Sequence, residues 1–437
     1  MRPTLIALLA LPTLACATAE EVCTTYDGLA CSEVADEVAA LQQQVADLQT
    51  ALEALSATCL TDADLGGYAT ESWVEDGFAD VGTMTDHEDR IRDLEDQDLD
   101  GRISGIEGDA VRLISTDTTY ACADAADVLA AMAELDGRRI AGDALVTLDL
   151  AAGNFAFSEP LSFAHPDGDR IEVVGAGTDQ TFLTFTSSDG VVVQGASSLG
   201  YLGDLAIVGA DQDADGLTVR EGSALTVGSV DVRGFGSNCI AVESNAAMSH
   251  DEGAVIDVSG CAGGIWVTES GFADVSGASS TGNSGDGFHS TKGSVLLAAD
   301  ATASGNGDAG FQATMGAFLD ADSSISSGNG NVDFYALYGA LIMAQDTQAL
   351  DATGHSGFYA TTGSYIYALR ASVTNATYYG FAAHYASSVY AQASDVVSAG
   401  EAYSARGNSY LYALDAVGQT TKDGAYSNDT TDFIYGL

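Results

Sequence analysis

From residue 217 onward, apolar residues that follow a turn recur in register. They are Leu217, Ile240, Ile265, Phe288, Phe311, Phe334, Phe358, Phe381, Tyr403 and Tyr426, with steps of 23, 25, 23, 23, 23, 24, 23, 22 and 23 residues. A fixed period between about 20 and 50 residues marks a solenoid. Between the anchors Val, Ile, Phe and Tyr alternate with small residues, which is the pattern of strands and not of helices. Five residues after many anchors stands a glycine, as at Gly222, Gly293, Gly316, Gly339 and Gly363, and a second strand follows, such as residues 294–297. A bend with a positive backbone angle favours glycine there. A further turn carries Gly282-Asn283, Gly305-Asn306 and Gly328-Asn329, again 23 apart, so that stacked asparagines can hydrogen-bond from coil to coil. The pattern predicts an all-β solenoid with three short strands per coil and neighbouring coils about 4.8 Å apart.

The N-terminal part reads differently. Val34, Val38, Leu41, Val45, Leu48, Leu52 and Leu55 alternate steps of four and three, the a/d seam of a coiled coil, with Gln, Glu and Asp elsewhere. Residues 20–60 are therefore expected to form an α-helical coiled-coil stalk, and the protein a homo-oligomer, with a trimer as the expected geometry. Residues 61–120 read as a linker and helical neck. The neck contains Asp96-Gln97-Asp98-Leu99-Asp100-Gly101-Arg102-Ile103-Ser104-Gly105-Ile106-Glu107, which matches the twelve-residue EF-hand loop. Asp96, Asp98, Asp100, the Arg102 carbonyl, Ser104 and a bidentate Glu107 would supply the 6 to 8 oxygens that calcium requires. Gly105 and Gly108 weaken the outgoing helix, and the bland alternative is a continued stalk with solvated acids. Asp211-Gln212-Asp213-Ala214-Asp215-Gly216 repeats only the first half of such a loop.

A short helix pattern over residues 124–135, with Val128, Leu129, Met132 and Leu135 on one side, precedes strand patterns and the run from Ile171 to Thr178. On the helix, the Ala152-Gly153-Asn154-Phe155 turn and the glycine turn at Gly175, Gly177, Thr181 and Leu183, the chain resembles the pectate-lyase-like and phage-tailspike-like superfamily. The resemblance implies a right-handed parallel β-helix, over residues 121–437, and the period gives it about ten 23-residue coils. It is specific for architecture and weak for activity.

Charge then narrows the partners. Sixty-three Asp and Glu against 14 Lys and Arg give a formal charge of -49, a field that repels phosphate backbones and excludes nucleic acid. Residues 1–19 combine Arg2, an apolar run and Ala17-Thr18-Ala19, which reads as a secretory signal; Leu14-Ala15-Cys16 competes as a lipoprotein signal that would put lipid on Cys16. Either predicts a secreted or cell-surface protein, touching the outer membrane only through that lipid. In an oxidising compartment the remaining cysteines suggest disulfides, and Cys239 and Cys261, almost one repeat apart, could bridge neighbouring coils.

Most of the eighteen tyrosines lie beyond residue 330. Stacked aromatic columns commonly fill a β-helix; the functional alternative is a sugar-binding face, for which Tyr367, Tyr390 and Tyr412 form the lateral stripe. Acid pairs such as Asp320 and Asp322 with Asp300 arise here from composition alone, and no cation sits in a lyase motif. The expectation is a non-catalytic, adhesin-like surface or matrix protein, calcium-binding in the neck, whose partner is a polysaccharide or cell-surface glycan. The alternative is a polysaccharide lyase or hydrolase of the superfamily.

Overall fold

The computed structural model describes residues 112–418, 425–427 and 433–435, apart from 211, 212 and 353. The signal, the coiled coil, the calcium loop and Cys16 lie outside these residues. The described chain is a parallel β-solenoid with one 14-stranded and two 12-stranded sheets, each strand pairing with its counterpart one coil away. The first sheet begins at Thr118–Cys122, upstream of the expected boundary at residue 121, and a two-stranded pair, Arg112–Ile114 with Arg138–Ile140, stands beside it. Helix α1, Ala125–Leu135, is capped by the Asp124 carboxylate and buries Val128, Ala131 and Leu135. Leu129, placed by the sequence pattern on the packed side, is 53% exposed, because the buried stripe runs through the smaller Ala131 instead.

The anchors Leu217 to Tyr403 pair one above the next in the third sheet. Two further members precede them, Leu161 and Val191, with steps of 30 and 26 residues. Longer early turns break the 23-residue period there, so the solenoid has more coils than the ten the period shows. The last anchor is corrected by one residue: Ala425 pairs with Tyr403, and Tyr426 is opposite Ser404. A one-residue slip moves a strand position to the other face.

Each coil sends one or two apolar side chains inward per strand. In the first sheet Leu296, Leu319, Ile342, Ile366, Val389 and Leu411 are buried in a column; in the third sheet Phe288, Phe311, Phe334, Phe358, Phe381 and Tyr403 stack ring on ring. The glycines after the anchors have the positive φ expected of them, 72° at Gly316 and 75° at Gly363. The asparagine ladder is present: Asn283 Nδ2 donates to Asn306 Oδ1 at 3.0 Å and Asn306 Nδ2 to Asn329 Oδ1 at 3.1 Å. Asn329, the third asparagine, donates its amide to Asp333 Oδ1 at 3.0 Å, and Ala352 is buried at the corner of the following coil. Asn283 Oδ1 accepts from the Cys261 amide, and Cys261 is disulfide-bonded to Cys239 in the neighbouring coil. Cys122 is a buried free thiol.

Candidate functional site

The corner that carries the asparagines up to Asn329 changes character afterwards. In the next coils it presents His355, then Tyr378 and Tyr379, then Glu401. The strand Ala376–His384 is nine residues long, with a register shift between Ala376 and Tyr379 against its neighbour Ala399–Arg406. That bulge re-aims the corner side chains over the outer face of the third sheet. On that face the residue after each Phe anchor points outward, which places Tyr335 and Tyr359 in one column with Ala382 and Ser404. Ala382 and Ser404 are small and fully buried, roofed by the larger groups around them.

The result is a continuous Tyr and His cluster. Tyr335 and Tyr359 stack at 5.5 Å, and Tyr359 lies 6.4 Å from Tyr379. His355 sits 5.3 Å from Tyr359 and 5.0 Å from Tyr378, and His384 meets Tyr359 and Tyr379 edge-on at 5.0 and 5.3 Å. Tyr359 Oη is 3.0 Å from His384 Nδ1, and His384 Nε2 is 3.3 Å from Ser404 Oγ. Arg406 lies over the Tyr379 ring at 5.3 Å and donates to both Glu401 oxygens at 3.3 and 3.2 Å. Tyr378 and Tyr385 form the open rim, 52% and 68% exposed, with Tyr338 beyond.

Burial sets the protonation of this face. It pushes the Tyr335 phenol up to about 12 and raises Tyr359 and Tyr379, and it lowers His355. At neutral pH these three phenols keep their protons and His355 is neutral, so they offer hydrogen-bonding groups and apolar ring surface.

The predicted stripe lies on another face. Tyr367, Tyr390 and Tyr412 are consecutive in the outer column of the first sheet, with centroids 5.0 and 4.8 Å apart and planes within 11° and 8°. Each ring covers the face of the next, so the column turns ring edges outward, and the Tyr390 hydroxyl donates to Gln392 Oε1. Beside it runs a second outer column, Phe272, Val295, Phe318, Leu341, Tyr365, Ser388 and Tyr410. In the second acidic string, Asp215 accepts from the Asn238 backbone and side-chain amides at 2.7 and 3.0 Å, a turn-closing role.

Among the described residues no group of three or more His, Cys, Asp or Glu could hold a metal ion. Besides a depression at Gly234, Cys261 and Ser284, two hollows lie away from the cluster. One is on the outer face of the first sheet between Asp169 and Phe272, and the other, about 530 Å³, lies between α1 and the first coils near Phe163 and His165. Asp169 lines the first and Asp136 the second.

No family model matches the chain, and no curated protein matches it. Among solved structures it is similar to the A-modules of two mannuronan C-5 epimerases of Azotobacter vinelandii. With AlgE4 the identity is 14% over 72% of this chain and 100% of that one, at a TM-score of 0.32. With AlgE6 it is 13% over 70% and 94%, at 0.31. Likeness at this level assigns no role to any residue here.

The cluster was not singled out from sequence. The signal was present in the Phe334-Tyr335 and Phe358-Tyr359 pairs: with the phenylalanines facing in, the tyrosines must face out.

Proposed function

We propose that this chain is an exported, non-catalytic surface or matrix protein that binds glycan on the third-sheet face built by Tyr335, Tyr359, Tyr378, Tyr379, His355 and His384. The observation that carries the reading is the cluster itself: open tyrosine rings at the rim above partly buried phenols, with the Tyr359 hydroxyl 3.0 Å from His384 Nδ1. A pyranose offers apolar C–H faces to rings and hydroxyls to phenols, and Tyr supplies both surfaces at low conformational cost. The Tyr367, Tyr390 and Tyr412 column is a second contact, through ring edges and hydroxyls.

The test is binding of the whole protein to a glycan array, with Tyr378→Ala and Tyr359→Phe as variants. Tyr378→Ala removes an open ring and should weaken binding by about tenfold, equivalent to about 1.4 kcal/mol. Tyr359→Phe removes one hydroxyl and should cost less. A lyase product absorbing at 235 nm, or release of reducing sugar, would replace the binding reading with the enzymatic one.

We propose also that Asp96, Asp98, Asp100, Arg102, Ser104 and Glu107 bind calcium, and that residues 20–60 assemble the chain into an oligomer. Calorimetric titration of the whole protein, stripped with EDTA, is expected to show a saturable calcium site that Asp96→Ala abolishes. Identical titrations of the parent and the variant would remove calcium from the account.

A further inference from the structure

The chain carries a formal charge of -49, yet a cation, Arg406, is placed against the Tyr and His cluster. On an acidic protein such a residue would be the obvious clamp for a sugar carboxylate. Its geometry leaves it poorly available. One nitrogen donates to both Glu401 oxygens at 3.3 and 3.2 Å, and the guanidinium lies over the Tyr379 ring. Glu401 stands opposite Tyr379 in the neighbouring coil, so acid, ring and guanidinium form one packed unit, both charged side chains being about one-third exposed.

A uronate placed here would meet a paired arginine, the Glu401 carboxylate and, next to Tyr335, Asp308, all within the field of a strongly anionic protein. An uncharged pyranose meets the same rings and phenols without that repulsion. We infer that the third-sheet face selects uncharged glycans over uronates, and that Glu401 is the specificity-determining residue because it occupies Arg406. The inference rests on the glycan-binding reading above.

The experiment measures binding of uncharged hexasaccharides, in gluco, manno and galacto configurations, and of hexamers of mannuronate, guluronate and galacturonate. It uses the whole protein and Glu401→Gln at low and high salt. Glu401→Gln keeps the shape of the side chain while removing its charge, and an unchanged melting temperature certifies its fold. The parent is expected to bind at least one uncharged hexamer and to bind uronates at least about tenfold more weakly, with a gap that narrows as salt screens the repulsion. In Glu401→Gln the released guanidinium should strengthen uronate binding, closing the gap by roughly tenfold. Uronates bound as tightly as uncharged hexamers by the parent, or a ratio unmoved by Glu401→Gln, would overturn the inference while leaving glycan binding intact. Binding of no hexamer of either kind would overturn both.

Discussion

Phe334→Ala is expected to destabilise the coils around it by about 3–5 kcal/mol. Phe334 is fully buried in the middle of the ring stack, with centroids 5.0 Å from Phe311 and 4.6 Å from Phe358 and planes within 2° and 4°. Truncation removes two stacking contacts and leaves a void. The void cannot readily close, because the inward neighbours along the same strands are Ala313, Ala336 and Ala360, which have no side chain to swing into it. A solenoid couples mainly nearest neighbours. Hydrogen exchange should therefore accelerate in the strands around residues 311–361 and remain as in the parent near Leu148 and Val173. Uniform acceleration over all coils would mean that the solenoid melts as one unit.

Raising the pH from about 4 to about 7 is expected to remove stability through Asp333. Its carboxyl is fully buried at the end of the asparagine ladder, accepting from Ser326 Oγ at 2.7 Å and Asn329 Nδ2 at 3.0 Å, while Oδ2 has no hydrogen-bond partner. Burial is the main cause that raises its pKa from 3.8 to about 7; Ser326 and Asn329 pull it down and Asp351 adds a small push upward. Below pH 3.8 the carboxyl is protonated folded and unfolded alike, and the site carries no penalty. As pH rises toward 7 the unfolded chain releases the proton while the folded chain retains it, so stability falls, by on the order of 4 kcal/mol in full. Asp333→Asn keeps the shape of the neutral acid and removes the titration. The variant should melt higher than the parent at pH 8, and the two should converge near pH 4. Comparing the two proteins cancels the pH response of the other acids. Parallel melting curves from pH 4 to 8 would show that Asp333 is not the titrating group.

The parts legible in the sequence are those where each coil repeats its neighbour. Phe288 to Phe381 hold one register because each fills the same interior position, and the Gly-Asn turns repeat because each asparagine needs the next as its partner. Legibility fails where turns change length. Leu161 and Val191 are core anchors hidden by steps of 30 and 26, and Tyr426 is displaced by one residue near the end. The Tyr367, Tyr390 and Tyr412 column was visible because it repeats. The third-sheet cluster was not, because His355, Tyr378 and Tyr379 come from a corner that abandons the repeat, and the bulge in Ala376–His384 aims them. Departure from the period marks the site better than the period does, since a position freed from the ladder can carry another group.

The most direct measurement is a nuclear magnetic resonance titration of the whole protein, labelled at the tyrosine rings, with the uncharged hexasaccharide that binds best. Saturable shifts are expected at Tyr359, Tyr378 and Tyr379, smaller ones at Tyr335 and Tyr385, and none at the buried Tyr403. Shifts absent from Tyr359, Tyr378 and Tyr379 at saturation, with glycan bound elsewhere, would contradict glycan binding on the third-sheet face.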